Sequence, residues 1–273
     1  MNKKLFYLIP IIIAVVLAAV LIFSIKKGKI ALPVRPSNLS ASLPLLNQAK
    51  DLEAKGDFLD AKAVYQKLVS DFSNSPDVMN WQKRIEDINI KLLFSPTITP
   101  KSVLYEIKPG DTLTKIAKEF KTTLDLIRRS NNLSGDALSP GRKIKIWTSP
   151  FTMLVDKSQN ILYLKSDEDI FKTYNVATGR NNCTPVGSFK IANKIVNPTW
   201  FKKGKIIPTG DPENILGTRW MGFDTAPSYG IHGTTEPQSI GKQATSGCVR
   251  MLNSDVEELY TIIPAGTEVT IVD

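Results

Sequence analysis

Cysteine and histidine are scarce in this chain of 273 residues. It contains two cysteines, Cys183 and Cys248, and one histidine, His232. So few of these residues argue against a structural zinc site, which usually draws four ligands from them. They also argue against a disulfide scaffold, because a chain of this length can bury a hydrophobic core of its own. Any thiol or imidazole chemistry must therefore use these three residues.

Arginine-rich runs and basic segments interleaved with aromatic residues are also missing, which argues against a nucleic-acid groove. The formal net charge is nevertheless +9 at pH 7. Two explanations stay open. The excess either gives solubility together with lysines beside a membrane anchor, or attracts an anionic surface such as a bacterial wall or lipid headgroups. The hydrophobic content of 42% is ordinary for folded domains, and the length allows two or three of them.

A single long apolar run occupies residues 5–25 and contains no charged side chain. As a helix it would extend about 31 Å, which matches the hydrocarbon core of a bilayer. No small-x-small cleavage site ends it and no lipid-acceptor cysteine follows. The run therefore predicts an uncleaved transmembrane signal anchor, with a cleaved signal peptide as the alternative. Residues 1–4 are then the cytoplasmic N-terminus.

The charges around this run do not settle its orientation. Basic residues are more numerous just after the run than before it, and charge alone would favour the opposite orientation. We still expect the body of the protein outside the cytoplasm, in the periplasm or cell wall, because of the domains that follow.

Residues 26–44 are rich in proline, serine and asparagine and predict a linker. Residues 45–94 follow a helical pattern, with a turn at Gly56–Asp57 and a break at Pro76. The segment resembles one tetratricopeptide repeat plus a further helix, although one repeat cannot build a solenoid. It is interpreted as a helical spacer or small self-packing bundle, or alternatively as a site for a protein partner. Residues 95–102 predict a second linker.

Residues 103–148 form a compact unit in which the pattern predicts strand, helix, helix and strand. The unit resembles a LysM module, and the residues that carry the resemblance are Tyr105, Pro109–Leu113, Ile116–Ala117, Asn131–Leu133 and Pro140–Gly141. LysM modules bind the N-acetylglucosamine sugars of peptidoglycan or chitin. The resemblance therefore implies binding to glycan strands, with a purely structural role as the alternative.

Residues 150–273 predict a β-rich domain with little helix. Short alternating runs predict strands, including a hairpin around Ser158–Asn160, and glycine and proline separate them. One helix is predicted after Asn253, a residue suited to its N-cap. A final strand is predicted over Val269–Val272.

Within this domain His232 precedes Cys248 by sixteen positions. A free thiol has a pKa of about 8.5, and an imidazole beside it can form a thiolate–imidazolium pair or act as general base. Gly247 allows close backbone approach, so N–H groups near Gly247 and Cys248 could form an oxyanion hole. Arg250 offers a planar cation for a substrate carboxylate. Such residues also occur as buried structural groups, so spacing alone leaves the catalytic interpretation open.

The surrounding motifs closely resemble the L,D-transpeptidase family with the YkuD-type catalytic domain. The segments that carry the resemblance are Thr184–Ile191, Leu216–Phe223, Ile231–Thr235, Thr245–Met251 and Pro264–Val269. They span nearly all of the C-terminal domain. The resemblance implies a β-sandwich-like fold with the cysteine in a surface cleft.

The same resemblance implies that Cys248 is the nucleophile, His232 the base, and the Gly233 carbonyl the group that orients the imidazole. The implied substrate is a peptidoglycan tetrapeptide stem. Attack at the carbonyl of its third residue would release D-alanine and form a thioester. Transfer to the amine of a second stem would give a 3→3 cross-link. No metal or organic cofactor is implied, and carbapenems are expected to acylate the cysteine.

One position departs from the family pattern, because Ser246 stands where many members have a second histidine. Ser246, Gly247 and Arg250 are still predicted to line the oxyanion or substrate site. Cys183 is interpreted as structural, with a regulatory disulfide to Cys248 as an alternative that geometry decides. Two other functions stay open. Water could accept the acyl group, giving a carboxypeptidase or endopeptidase, or the protein could tether the wall without catalysis.

Overall fold

The computed structural model describes residues 39–202 and 204–273. The predicted cytoplasmic N-terminus, the membrane anchor and most of the first linker lie outside these residues. Among the described helices, none is both long and apolar enough to span a bilayer. Residues Pro44–Asp273 form one compact unit, which contains the domains described below.

Three helices begin the described chain: α1 (Leu39–Lys55), α2 (Phe58–Asp71) and α3 (Val78–Leu93). α1 begins inside the predicted linker and contains Pro44, although proline normally marks the start or end of a helix. Apolar side chains of the three helices share one core, which includes Ala49, Ala61, Tyr65, Leu68, Trp81 and Ile88. The helical character of the segment is confirmed, whereas its likeness to a tetratricopeptide repeat stays a prediction.

The next unit has the predicted order of strand, helix, helix and strand. Its elements are β1 (Ser102–Glu106), α4 (Leu113–Glu119), α5 (Leu124–Ser130) and β2 (Lys143–Trp147). β1 and β2 pair antiparallel. Thr112 Oγ1 accepts a hydrogen bond from Lys115 N at 3.2 Å, so this threonine caps α4. Thr123 Oγ1 accepts one from Leu126 N at 2.9 Å and caps α5 in the same way.

Eight strands of the C-terminal domain form one mixed sheet. They are β3 (Phe151–Asp156), β4 (Ile161–Ser166), β5 (Asp169–Asn175), β7 (Gly187–Val196), β10 (Arg219–Phe223), β11 (Gly230–His232), β13 (Val249–Arg250) and β14 (Glu268–Val272). Their spatial order is β13-β11-β10-β7-β14-β3-β4-β5. Two short pairs lie outside this sheet: β6 (Thr178–Gly179) with β12 (Gln243–Thr245), and β8 (Trp200–Lys202) with β9 (Lys205–Ile207).

The long strand β7 joins the two halves of this sheet. Its first residues, Gly187–Lys190, pair with β14, and its later residues, Ile191–Val196, pair with β10. Helix α6 (Asn253–Ile262) adds its apolar face to the same core as both halves. The β-rich prediction is confirmed, but the strands form one curled sheet instead of the two separate sheets of a sandwich.

Buried polar contacts attach α3 to the edge strand β5. Glu86 accepts hydrogen bonds from Thr173 N at 3.1 Å and Thr173 Oγ1 at 3.0 Å. Asn89 Nδ2 donates to Phe171 O at 2.9 Å. An edge strand presents backbone groups that no further strand pairs. The two α3 side chains satisfy two of these groups, Thr173 N and Phe171 O, and cover part of the edge.

The LysM-like unit packs on the end of α3 through Lys145, a buried residue of β2. Its ammonium donates to Leu92 O at 2.5 Å and Ser95 O at 2.9 Å, and burial lowers its pKa to about 8. The last carbonyls of a helix lack partners within it, and a cation there complements the helix dipole. Ser130 Oγ adds a hydrogen bond to Leu93 O at 2.7 Å. Residues 95–102 thus connect two packed units.

Candidate active site

The parallel strands β11 and β13 bring the histidine and the cysteine to one side of the sheet. His232 pairs with Arg250 in the strand register. Cys248 directly precedes β13, so this register places it beside Gly230, two residues along β11 from His232. Side chains two apart on a strand point to the same face. The thiol and imidazole therefore share a face across a single gap between strands.

The His232 imidazole is buried, and its Nδ1 contacts a backbone carbonyl. Its Nδ1 lies 2.6 Å from Gly233 O, the contact that the family resemblance implied. A neutral ring with its proton on Nδ1 leaves Nε2 as the proton acceptor. The ring also stacks on Trp220, with centroids 5.9 Å apart and an interplanar angle of 19°. Burial lowers the pKa of His232 to about 4, although the hydrogen bond with Gly233 O acts in the opposite direction.

The Cys248 thiol is half-buried and lies close to the Ser228 carbonyl oxygen, 3.8 Å from Sγ. Within the described part of the chain it makes no hydrogen bond to His232. Burial raises the pKa of Cys248 to about 11, although the backbone N–H of Gly230 acts in the opposite direction. Both groups are therefore neutral near pH 7. This favours general-base transfer during attack over a preformed thiolate–imidazolium pair.

Gly247 occupies a position that only glycine fits. Its φ is +122°, and a Cβ there would lie 2.3 Å from the Tyr229 ring. Its N–H donates to Thr245 Oγ1 at 3.1 Å, and that hydroxyl donates to Cys248 O at 2.7 Å. Of the two predicted oxyanion donors, the Gly247 N–H is therefore already occupied, which leaves the Cys248 N–H as the candidate. Ser246 is exposed beside it.

Arg250 is buried, with 3% of its surface exposed. Its Nη1 lies 2.5 Å from a Glu236 carboxylate oxygen and 3.0 Å from Ser239 Oγ. A substrate carboxylate would have to displace Glu236 to reach this nitrogen. The geometry therefore gives Arg250 a structural ion pair in place of the predicted open cation.

Comparison with known proteins adds independent information. A family model for the L,D-transpeptidase catalytic domain matches residues 150–271, and a LysM domain model matches residues 105–147. A putative L,D-transpeptidase YkuD of Bacillus licheniformis is 37% identical over 177 residues, 62% of this chain and 98% of that protein. The chain belongs to the L,D-transpeptidase family. A putative L,D-transpeptidase YkuD of Bacillus subtilis is 36% identical over 174 residues, 61% of this chain and 97% of that protein.

Solved structures include an L,D-transpeptidase from Mycobacterium smegmatis with a TM-score of 0.40 and 16% identity. The match covers 50% of this chain and 66% of that one. In the present chain, the LysM domain and the L,D-transpeptidase catalytic domain together imply binding to peptidoglycan.

The contacts of Asn253 could not be predicted from the sequence. Its Oδ1 accepts hydrogen bonds from Thr234 N at 3.0 Å and Thr218 N at 3.2 Å. The predicted N-cap is wrong, because Leu252 occupies the N-cap position of α6. The carboxamide oxygen is used by two distant loops instead of by its own helix.

Two glycines make room for this carboxamide. A Cβ on Gly217 or Gly233 would lie 2.3 or 2.2 Å from Asn253 Oδ1. Asn253 therefore braces the loop that contains Gly233, whose carbonyl in turn orients His232. We identify Asn253 as a positioning residue of the candidate site.

Cys183 is exposed, and both Cys183 and Cys248 are free cysteines. The Sγ of Cys183 packs against Gly179, where an added Cβ would approach to 2.6 Å. Its backbone oxygen would lie 3.4 Å from a Cβ on Gly247. Cys183 therefore borders the loop of the candidate nucleophile, and in this structure the two thiols do not form the disulfide considered above.

Proposed function

We propose that the protein is a peptidoglycan L,D-transpeptidase with Cys248 as nucleophile and His232 as general base. The observation that carries the proposal is the β11–β13 pair, which sets the thiol and imidazole on one face. The Gly233 carbonyl supports it further by holding Nδ1, so that Nε2 is the acceptor.

In the proposed reaction, Cys248 Sγ attacks the carbonyl of the third residue of a tetrapeptide stem while His232 Nε2 takes the thiol proton. The Cys248 N–H stabilises the resulting oxyanion. Collapse breaks the peptide bond, the imidazolium protonates the leaving D-alanine amine, and a thioester remains. The amine of a second stem then attacks the thioester. His232 accepts the amine proton and returns it to the departing thiolate, which completes the 3→3 cross-link.

The resting protonation states place a condition on the first step. Because the thiol and imidazole are both neutral, proton transfer accompanies attack and does not precede it. We infer that rotation about χ1 of Cys248 moves Sγ from the Ser228 carbonyl toward Nε2 when the substrate binds. Apo sites commonly show such loose contacts before the substrate tightens them.

We further propose that the LysM unit binds glycan strands and that the predicted anchor, residues 5–25, keeps the catalytic part outside the cytoplasm at the membrane. The docking of Lys145 on α3 supports a fixed placement of LysM beside the catalytic domain. Bound glycan would then raise the local concentration of stems and also limit their orientation.

Product analysis tests the proposal. The protein is incubated with purified tetrapeptide stems, and the products are identified by mass. Linked dimers with released D-alanine are expected, and neither should form with Cys248→Ala. Cleaved stems without dimers would assign hydrolysis, whereas a wild type without any product would favour a tethering role. A carbapenem adduct on Cys248 is expected as well.

A further inference from the structure

A groove of about 590 Å³ opens between the helical segment and the catalytic domain. Its apolar lining includes Leu59, Val69, Ile85, Leu92, Ile170 and Phe171. The catalytic-domain side belongs to β5, at the opposite edge of the sheet from β13 and the Cys248 site. The groove is therefore separate from the candidate active site, and its volume falls in the range of small-ligand and peptide pockets.

The walls of the groove are held in place by contacts already described for Glu86 and Asn89. A third contact fixes the connecting segment, because Lys101 Nζ donates to Ser166 O at 2.9 Å and pairs with Asp169 at 3.2 Å. These bonds join all three parts of the wall. The groove is thus preformed, which lowers the ordering cost of binding.

One lining charge lacks a partner. Lys62 is half-buried, and within the described chain it makes neither a hydrogen bond nor an ion pair. Burial lowers its pKa and the neighbouring Lys101 adds to that effect, whereas Asp169 acts more weakly in the opposite direction. The nearby acidic residues already have partners, since Asp169 pairs with Lys101 and Glu168 pairs with Lys165 at 3.3 Å. A partly desolvated ammonium that no carboxylate contacts directly favours an anionic ligand.

Two glutamines indicate what kind of anionic ligand fits. Gln66 and Gln82 line the groove, and in the described structure their carboxamides make no hydrogen bonds. A carboxamide offers both donors and acceptors, as a peptide backbone requires. An acyl chain would leave both glutamines unmatched. Leu59 and Ile170 are 41% and 45% exposed. Apolar side chains of a ligand could pack on both.

We propose that this groove binds a short extended peptide of another protein that carries apolar side chains next to a carboxylate. The carboxylate pairs with Lys62, the apolar side chains cover Leu59 and Ile170, and the peptide backbone bonds with Gln66 and Gln82. The site is independent of the transpeptidase chemistry, so Cys248→Ala should bind the peptide equally well.

Fluorescence anisotropy with the full chain tests the proposal. The probe is a labelled octapeptide in which leucine alternates with glutamate, and its glutamine analogue is the uncharged control. The wild type should bind the glutamate peptide about tenfold more tightly than the analogue. Lys62→Met should abolish this preference, and Ile170→Ser should weaken binding of both peptides. Lys67→Met, on the same helix but outside the groove lining, should leave binding unchanged.

Three outcomes would overturn the proposal. The first is no saturable binding below about 1 mM, a weak affinity by any standard. The second is a preference for glutamate that survives Lys62→Met. The third is displacement of the peptide by dodecanoate with the same dependence on Lys62, which would assign the groove to acyl chains.

Discussion

Burial acts on His232 and Cys248 in the directions that keep both uncharged, with pKa values of about 4 and about 11. In a Cys183→Ser background, iodoacetamide should therefore alkylate Cys248 more slowly than free cysteine at pH 7. The rate should keep rising with pH toward about 11, as followed by intact mass. A rate that is already maximal near pH 6 would indicate a thiolate–imidazolium pair and contradict this protonation scheme.

The buried His232 also makes stability depend on pH. Its folded pKa of about 4 lies below the ordinary value of 6.5, so at intermediate pH the unfolded chain binds a proton that the native state does not. As the pH is lowered from about 6.5 to about 4, this group should reduce the free energy of unfolding by about 3 kcal/mol. Urea titrations at several pH values measure it. His232→Gln should remove this component, and an identical pH dependence in the variant would refute it.

Asn253 should matter for turnover more than its distance from the thiol suggests. Asn253→Ala leaves the N–H groups of Thr218 and Thr234 without their acceptor and loosens the loop that orients His232. We expect kcat to fall about 100-fold, because small misplacements of a catalytic group are costly. Asn253→Asp keeps the acceptor oxygen and should recover most of the activity.

The NMR titration of the chain's one histidine separates positioning from general damage. In Asn253→Ala the pKa of His232 should move back toward 6.5 as the pocket loosens. An unchanged kcat and an unchanged titration would show that the two hydrogen bonds do not position the ring.

Among the elements, those with local signals could be predicted from the sequence. The helices after Thr112 and Thr123, and the hairpin of β3 and β4, depend on capping and alternation within a few residues. The sequence predicts a later start for α1 than the structure has. The reason is Pro44, which is typical of a helix boundary but lies inside this helix. At Asn253 the local signal was misleading, since contacts with two distant loops replaced the helix cap.

The candidate site shows the same division. The motifs around Cys248 and His232 identified these two residues and the Gly233 carbonyl. The parallel pairing of β11 with β13 is a long-range contact that no local periodicity encodes. The Glu236 partner of Arg250 was likewise invisible, because an ion pair between two loops leaves no pattern in spacing.

The junction of β2 with α3 should depend on Lys145. Lys145→Met leaves the carbonyls of Leu92 and Ser95 buried without donors, at an expected cost of about 1–3 kcal/mol. Lys143→Met, on the exposed end of the same strand, is the matched control and should change little. Urea midpoints measure both. Equal midpoints for the two variants would contradict a capping role for Lys145.

Across the whole of residues 44–273, the domains are joined by packing as well as by the chain. Trp147 of the LysM unit stacks on Phe151 at 5.5 Å and meets Phe171 edge-on at 5.5 Å. With the Lys145 and Glu86 contacts, this arrangement places the LysM unit, the candidate active site and a separate groove on one scaffold. The predicted linker at 95–102 therefore does not serve as a spacer for long reach.

Intact-mass analysis after rapid mixing with a tetrapeptide stem tests the nucleophilic role of Cys248 most directly. The proposed mechanism predicts a covalent adduct on Cys248 with the mass of the stem acyl group lacking D-alanine, formed together with free D-alanine. Neither should appear in Cys248→Ala. Release of D-alanine that persists in Cys248→Ala, or an adduct mapped to another residue, would contradict the mechanism.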